Sequence, residues 1–395
     1  MTAQQHIARN LNRLSLNGTL RTIPDIDRGA ELYLNYQGKN LLNLSSNNYL
    51  GLSGNEELIQ ASIRAIRSYG TSGSGSRLIS GNYSLYAELE NLLCSFKEQP
   101  ASLVTGSGFA ANLCILGSLA SRGTMVFSDR LNHASIIDSA ILSGARQVRY
   151  RHSDMEHLAF LLKQHRDCPL KILITDTVFS MDGDIAPLEE IVRLCSNAKA
   201  LIVVDEAHGT GVFGGGRGLA HHLGLEKEIH VHMGTFSKAL GSYGGFIAST
   251  EDIISLIISR GRAFIYSTSL PPAAVGASLA ALKIVMAKPR QSRKLLDMAS
   301  QMRSWLQGLG FDTGQSSTQI IPVIIGGNTE VIKARDILID CGVYCGAIRP
   351  PAVPAGTARL RLCMRADMNS NELEIVRKAF STLSQAGLHP RKPGS

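Results

Sequence analysis

No apolar run in this 395-residue chain approaches the roughly 20 residues that a membrane span needs; Ile253–Ile258 and Leu201–Val204 are far shorter. A membrane is therefore not an expected partner. The N-terminus, MTAQQHIARNLNRLSLNG, has no continuous apolar segment and alternates polar with apolar residues, which reads as an amphipathic helix and not as a secretory signal. No C-x-x-C pair occurs among the seven cysteines, an odd number, so reduced thiols in a cytoplasmic protein are expected instead of a disulfide framework. The net charge of +8 suits acidic ligands and equally suits a solvated surface. There is no dense Lys/Arg run with interleaved aromatics, and nucleic acid is not expected as a partner. No G-x-x-x-x-G-K-[ST] phosphate loop and no internal repeat is present.

What is present is an ordinary globular composition, 44% hydrophobic and 18% charged, in a chain too long for one compact core. Apolar, β-rich runs at Ala101–Thr105, Thr124–Ser128, Gln147–Tyr150, Lys171–Thr175 and Leu201–Asp205 alternate with helical windows at 110–121, 133–143, 155–165 and 188–196. Such alternation predicts a mostly parallel sheet covered on both faces, and a continuous apolar strand such as LIVV fits burial on both sides. Upstream, 40–44 reads as a strand, 55–69 and 84–97 as helices, and the segment 70–81 (GTSGSGSRLISG) as neither. A long helical region from about 271 to 309 leads into an α+β part with strands at 320–325 and 359–363 and helices at 330–341 and 370–386. The expected division is an N-terminal segment (1–45), a large domain (46–285) and a C-terminal domain (286–395), with the tail HPRKPGS frayed.

Three segments carry chemistry. In LIVVDEAHGTG a buried strand delivers Asp205 to the carboxyl edge of the sheet, where open α/β folds place ligands. Alone, such an Asp more often caps a turn than binds a cofactor. Asp-Glu-Ala-His also resembles a helicase box, though without the phosphate loop. Gly209, Gly211 and Gly214 satisfy G-x-G-x-x-G, but no helix follows them. The segment HMGTFSKALGSYGG places Lys238 among small residues, where an amine can reach a carbonyl carbon, with Thr235 and Ser237 offering hydroxyls to a phosphate. Asp205, His208 three residues on and a lysine some thirty residues later make a joint signal that none makes alone. TGSGFAAN leaves a strand and opens a helix, an arrangement whose bare N–H groups bind anions. His133 in LNHASI could stack on an aromatic cofactor or simply pack or cap a helix, and Ser180 follows another strand. His221, His222, His230 and His232 lack a matching acidic cluster, and no metal is expected.

Together these motifs resemble the α-oxoamine synthase family of pyridoxal-phosphate enzymes over nearly the whole chain, from about Leu20 to Leu388. The resemblance implies an aspartate aminotransferase-like fold (fold type I) and a homodimer with its active site between subunits. It implies pyridoxal 5'-phosphate as cofactor and decarboxylative condensation of an amino acid with an acyl thioester. Lys238 is similar to the Schiff-base lysine, Asp205 to the partner of the pyridine nitrogen, His208 to the contact of the phenolic oxygen and His133 to the residue stacked on the ring. Gly108, Phe109, Ser180 and Thr235 look like further cofactor contacts, and Thr268 like a reach to the neighbouring subunit's phosphate. Asn47 in LSSNNYLGL and Arg361 in GTARLRL resemble the holders of the amino-acid carboxylate. SRGRAFIYSTSLPPA and AIRPPAVPAGTARLRL lean toward the branch that uses L-alanine with pimeloyl-CoA or pimeloyl-acyl carrier protein, with Arg21 and Thr357 near its substrates. Sister branches using glycine with acetyl-CoA, or L-serine with a long acyl thioester, share the catalytic residues and stay open.

Overall fold

The computed structural model describes residues 1–28 and 31–388, so the expected frayed tail lies outside the described residues. The chain divides into two compact units, one of residues 47–180 and 184–296, the other of residues 1–46, 181–183 and those from 297 onward.

The first unit is built on seven strands: β1 (Ala101–Thr105), β2 (Thr124–Asp129), β3 (Arg146–Tyr150), β4 (Leu170–Asp176), β5 (Leu201–Asp205), β6 (Val231–Thr235) and β7 (Gly245–Ser249). Their order across the sheet is β1-β7-β6-β5-β4-β2-β3. β6, β5, β4, β2 and β3 are parallel in succession, whereas β7 is antiparallel to both its neighbours. β1 and β6 therefore point the same way, and the carboxyl ends of six strands share one edge.

Period-2 alternation divides the strand residues between two cores. Ile172, Ile174 and Val203 pack on one face with Ile115 and Ile257 from helices Gly108–Leu119 and Glu251–Arg260. Leu173, Ile202 and Val204 pack on the other with Leu158 and Ile191 from helices Met155–Gln164 and Leu188–Ala198. Strands buried on both faces account for the unbroken apolar runs in the sequence. Segment 70–81 is neither helix nor strand but is held: Ser76 bridges to Thr268, and Ser269 N–H donates to Gly75 O at 3.0 Å.

In the second unit, strand Lys39–Asn43 pairs antiparallel with Tyr33–Tyr36 and parallel with Val343–Tyr344. Strand Ala358–Cys363 lies between Ile320–Gly326 and Gly346–Ile348. The pairing of 39–43 with 343–344 places the N-terminal segment with the C-terminal residues, where the sequence suggested separate parts at 1–45 and 286–395. Helix Ala3–Leu16 forms as expected, closed by a capping box between Thr2 and Gln5, but buries none of its residues. The long helical region is two helices, Pro272–Ala287 and Arg290–Gly308, because Pro289 cannot continue the first. The unit boundary falls inside the second helix, eleven residues beyond the expected 285. All seven cysteines are unbridged. Among the described residues no helix is long and apolar enough to cross a membrane.

Candidate active site

The chemistry-bearing motifs converge on the shared carboxyl edge of the seven-stranded sheet. After β1 the chain turns at Gly106–Ser107 into helix Gly108–Leu119, with Ser107 Oγ accepting the Ala110 N–H at 3.0 Å. Gly108 brings this helix start against the end of β6; a Cβ there would lie 3.2 Å from Met233 Cε and 3.6 Å from Thr235 Cβ. At the end of β6, Thr235 Oγ1 donates to Gly244 O at 2.7 Å and accepts the Ser237 N–H at 3.1 Å. The bare N–H groups of the helix start thus face the same edge, with the Thr235 and Ser237 hydroxyls beside them, 2.7 Å from each other, and such N–H groups suit a phosphate.

β4 and β5 end in register on two acids, Asp176 opposite Asp205, 5% and 3% exposed. Asp205 accepts the Ala207 N–H at 2.9 Å and one N–H of the Asn112 amide at 2.8 Å. Among the described residues it forms no ion pair, so a buried anion is solvated only by neutral donors. A protonated ring nitrogen is the kind of group that completes it. Asp176 accepts the His133 backbone N–H at 2.7 Å. Burial first, and the Asp205 charge second, push Asp176 well above the usual carboxylate range.

Lys238 Nζ stands 2.8 Å from His208 Nε2, and His208 Nδ1 stands 2.7 Å from the Tyr49 hydroxyl, which donates to Asn47 Oδ1 at 3.0 Å. A hydroxyl that donates to Asn47 accepts from His208 Nδ1–H, and this leaves the Nε2 lone pair facing the lysine. The four side chains form one relay, buried at Tyr49 and His208 and half-buried at its Asn47 and Lys238 ends. His133, the N-cap of helix Ala134–Leu142, lies edge-on to Phe109 with ring centroids 6.5 Å apart. The ring is exposed at its surface, yet desolvation by the protein packed around it is the first cause that lowers its pKa; Lys238 adds to this, while Asp205 and Asp138 oppose it.

The residues fit pyridoxal phosphate on three counts: an amine for its aldehyde, an unpaired buried carboxylate for its ring nitrogen, and a donor-rich helix start for its phosphate. Lys238, Asp205, His208, His133, Gly108, Phe109, Thr235 and Asn47 all lie in this unit. So do half-buried Ser180, beyond β4, and Thr268, exposed on its surface. Tyr49, Asn112, Ser135 and Asp176 are participants that the motif reading passed over. Each lies in or beside a quoted motif, and Asp176 ends a strand just as Asp205 does.

Arg21, Thr357 and Arg361 belong to the other unit. Arg361 is buried on strand Ala358–Cys363, its Nη1 2.9 Å from Cys363 Sγ. The Thr357 hydroxyl is used within its own turn, donating to Pro354 O at 2.8 Å and accepting from Arg359 Nη2 at 3.1 Å. Arg21 lines a cavity of about 420 Å³ together with Arg335, Arg349, Tyr36 and Tyr344.

Behind Asp205, on the opposite face, Glu206 is fully buried and bonded by the Lys97 ammonium and by the Ala220 N–H at 3.0 Å. Burial would raise its acid, but Lys97 and His232 outweigh this and hold it well below the usual range. Glu206 is the acidic neighbour that the histidine group lacked in sequence. His221 and His232 approach it, their ligating atoms and its carboxylate within 4.8 Å of one another, around the Lys97–Glu206 pair.

The aminotransferase class I and II family matches residues 39–380. A Geobacillus kaustophilus protein with the provisional name 8-amino-7-oxononanoate synthase is 46% identical over 350 residues, covering 88% of this chain and 89% of that one. A solved structure of serine palmitoyltransferase (SPT) with pyridoxal phosphate superposes with TM-score 0.91 at 30% identity, covering 97% of this chain and 98% of that one. A solved 8-amino-7-oxononanoate synthase from Francisella tularensis gives 0.74 at 25% identity, covering 88% of this chain and 98% of that one.

Proposed function

This chain belongs to the aminotransferase class I and II family, in its pyridoxal-phosphate-dependent α-oxoamine synthase branch, and on that premise we propose that it condenses L-alanine with a pimeloyl thioester as an 8-amino-7-oxononanoate synthase. The observation that carries the reading is the 46% identity over 88% of the chain to a relative of that name. The cavity beside Arg21 and Arg349 supports it, since guanidinium groups suit an acyl group that ends in a carboxylate and penalise a long alkyl tail; Arg335, which also lines it, is paired with Asp336 at 2.7 Å. That charge argument favours pimeloyl over palmitoyl groups, although SPT shares the fold with a higher TM-score than the Francisella enzyme. A cytoplasmic homodimer with its active site at the subunit interface completes the proposal. The thioester carrier is coenzyme A or an acyl carrier protein.

When bound, pyridoxal phosphate supplies an electron sink for charge that develops at the substrate Cα. Asp205 holds a proton at the ring nitrogen, and its burial among neutral donors makes that pairing strong. Lys238 anchors the cofactor and, once released, takes and returns the Cα proton; the His208 lone pair orients its amine. Gly108 N–H, Thr235 and Ser237 hold the phosphate, with Ser180 and Thr268 as further cofactor contacts. Asn47 and Arg361 hold the amino-acid carboxylate, and Arg21 and Thr357 contact the acyl substrate. His133 donates to the thioester carbonyl oxygen as the new carbon–carbon bond forms.

The test is release of thiol and carbon dioxide by the purified protein from pimeloyl-CoA, acetyl-CoA and palmitoyl-CoA, each with L-alanine, glycine and L-serine. Fastest release with L-alanine and pimeloyl-CoA is expected. A clear preference for glycine with acetyl-CoA, as in glycine C-acetyltransferase, or for L-serine with palmitoyl-CoA would overturn the substrate assignment.

A further inference from the structure

Asp205 and His133 are joined by two side chains to which no role has been given. An ionised carboxylate only accepts hydrogen bonds, so the Asn112 amide must turn its nitrogen toward Asp205, and Nδ2 lies 2.8 Å from Oδ2. The second N–H on that nitrogen then points at Ser135 Oγ, 2.9 Å away. Ser135 Oγ, accepting from Asn112, has its own proton left to give, and the atom within reach is His133 Nδ1 at 2.8 Å. The Ser135 backbone N–H, which can only donate, aims at the same Nδ1 from 3.2 Å. Asn112 Oδ1 is buried without a hydrogen-bond partner, so the amide keeps this orientation at the expense of its own carbonyl.

We infer that Asn112 and Ser135 are positioning residues that hold His133 as the Nε2–H tautomer, with Nδ1 closed to protonation, and tie that tautomer to the ionised state of Asp205. Two donors converge on one lone pair, and adding a proton there would force both to turn away. His133 therefore meets a carbonyl oxygen as a neutral donor through Nε2–H and does not compete with Lys238 for the Cα proton. The charged groups around it are Asp205, Lys238 and Asp138, with Asp176 on its backbone N–H. Its lowered pKa, caused first by desolvation, agrees with a neutral ring. The inference deepens the proposed function and rests on it for the role of His133, but the tautomer itself does not.

The experiment is long-range proton–nitrogen NMR on the cofactor-loaded protein carrying nitrogen-15 in its histidines, with His133→Gln to assign the signal. Expected is a protonated Nε2 and a bare Nδ1 that persist below the ordinary pH 6.5 midpoint. In Ser135→Ala and Asn112→Ala the ring should populate both tautomers and titrate at higher pH. Condensation should fall about 10-fold at unchanged amino-acid KM, and in Ser135→Ala, which leaves the Asn112–Asp205 contact in place, exchange of the substrate Cα proton should stay near wild type. A protonated Nδ1 in the wild type overturns the inference, as does an unchanged tautomer and midpoint in Ser135→Ala, the variant with the smaller change in volume. A fixed Nε2–H tautomer in a protein that condenses no tested thioester supports the inference and removes the synthase reading.

Discussion

Asp205 and Glu206 are consecutive, both buried, and built into the same strand exit, yet the protein treats their charges oppositely. Glu206 meets a lysine ammonium and a backbone N–H on the back of the sheet, and its acid is held well below the usual range. Asp205, on the cofactor side, receives only neutral donors. A buried charge with its own cation is closed, and it fixes the loop that follows. A buried charge left without one is ready for a cation from outside. Burial is nearly equal for the two residues, so the difference lies in what was placed opposite each.

Four changes test this contrast. Lys238→Ala should have the largest effect, a loss of turnover exceeding about 10⁴-fold measured as thiol release, with the circular dichroism spectrum unchanged. Lys97→Met should unfold more easily by about 3–5 kcal/mol in denaturant titrations, because it strands the Glu206 charge; adding Glu206→Gln should recover most of that loss. Asp205→Asn should do the reverse, keeping the denaturation midpoint within the ordinary scatter of surface variants while turnover falls about 10²-fold. If Asp205→Asn destabilises as much as Lys97→Met, the distinction between open and closed carboxylates fails.

The smallest effect concerns a second closed arrangement, His152 between Asp129 Oδ1 at 3.0 Å and Asp184 Oδ2 at 2.8 Å. Burial alone would lower this imidazole, but the two carboxylates raise it to about 10. A raised value in the folded state means that its stabilisation is complete below pH 6.5 and is lost as pH rises toward about 10. The melting temperature should decline over that window, and His152→Gln should flatten the decline.

Of the parallel strands, β2, β3, β4 and β5 were legible as short apolar runs in an alternation with helical windows, whereas β6, which runs through a loop directly into β7, was not among the expected strands. β7 was not, since Gly245–Ser249 is brief, begins with glycine and follows a loop with no helix between. The alliance of strand 39–43 with 343–344 has no local signal, because about three hundred residues separate the partners. At the site, Lys238, Asp205 and His208 could be read because their spacing is set by two successive strands, β5 and β6, and the loops that leave them. Asn112, Ser135, Tyr49 and Asp176 stood beside those motifs. Their roles depend on which strand ends become neighbours, and pairing decides that where composition does not.

The reversed strand β7 has a consequence for mutational tolerance. Gly245 sits opposite Thr105 on one side and Thr235 on the other, at the point where the turns that leave β1 and β6 come together. A single Cβ there would lie 2.4 Å from Ser107 O and 2.7 Å from Gly108 N, both backbone atoms that cannot swing aside. β7 lies between β1 and β6, and its glycine gives those turns a floor without side chains. The packing of the bare polypeptide thus forbids any side chain at that floor before a ligand is considered. Substitutions at Gly245 should therefore appear in a genetic screen as missing protein, and an intact berth will accompany every copy that folds.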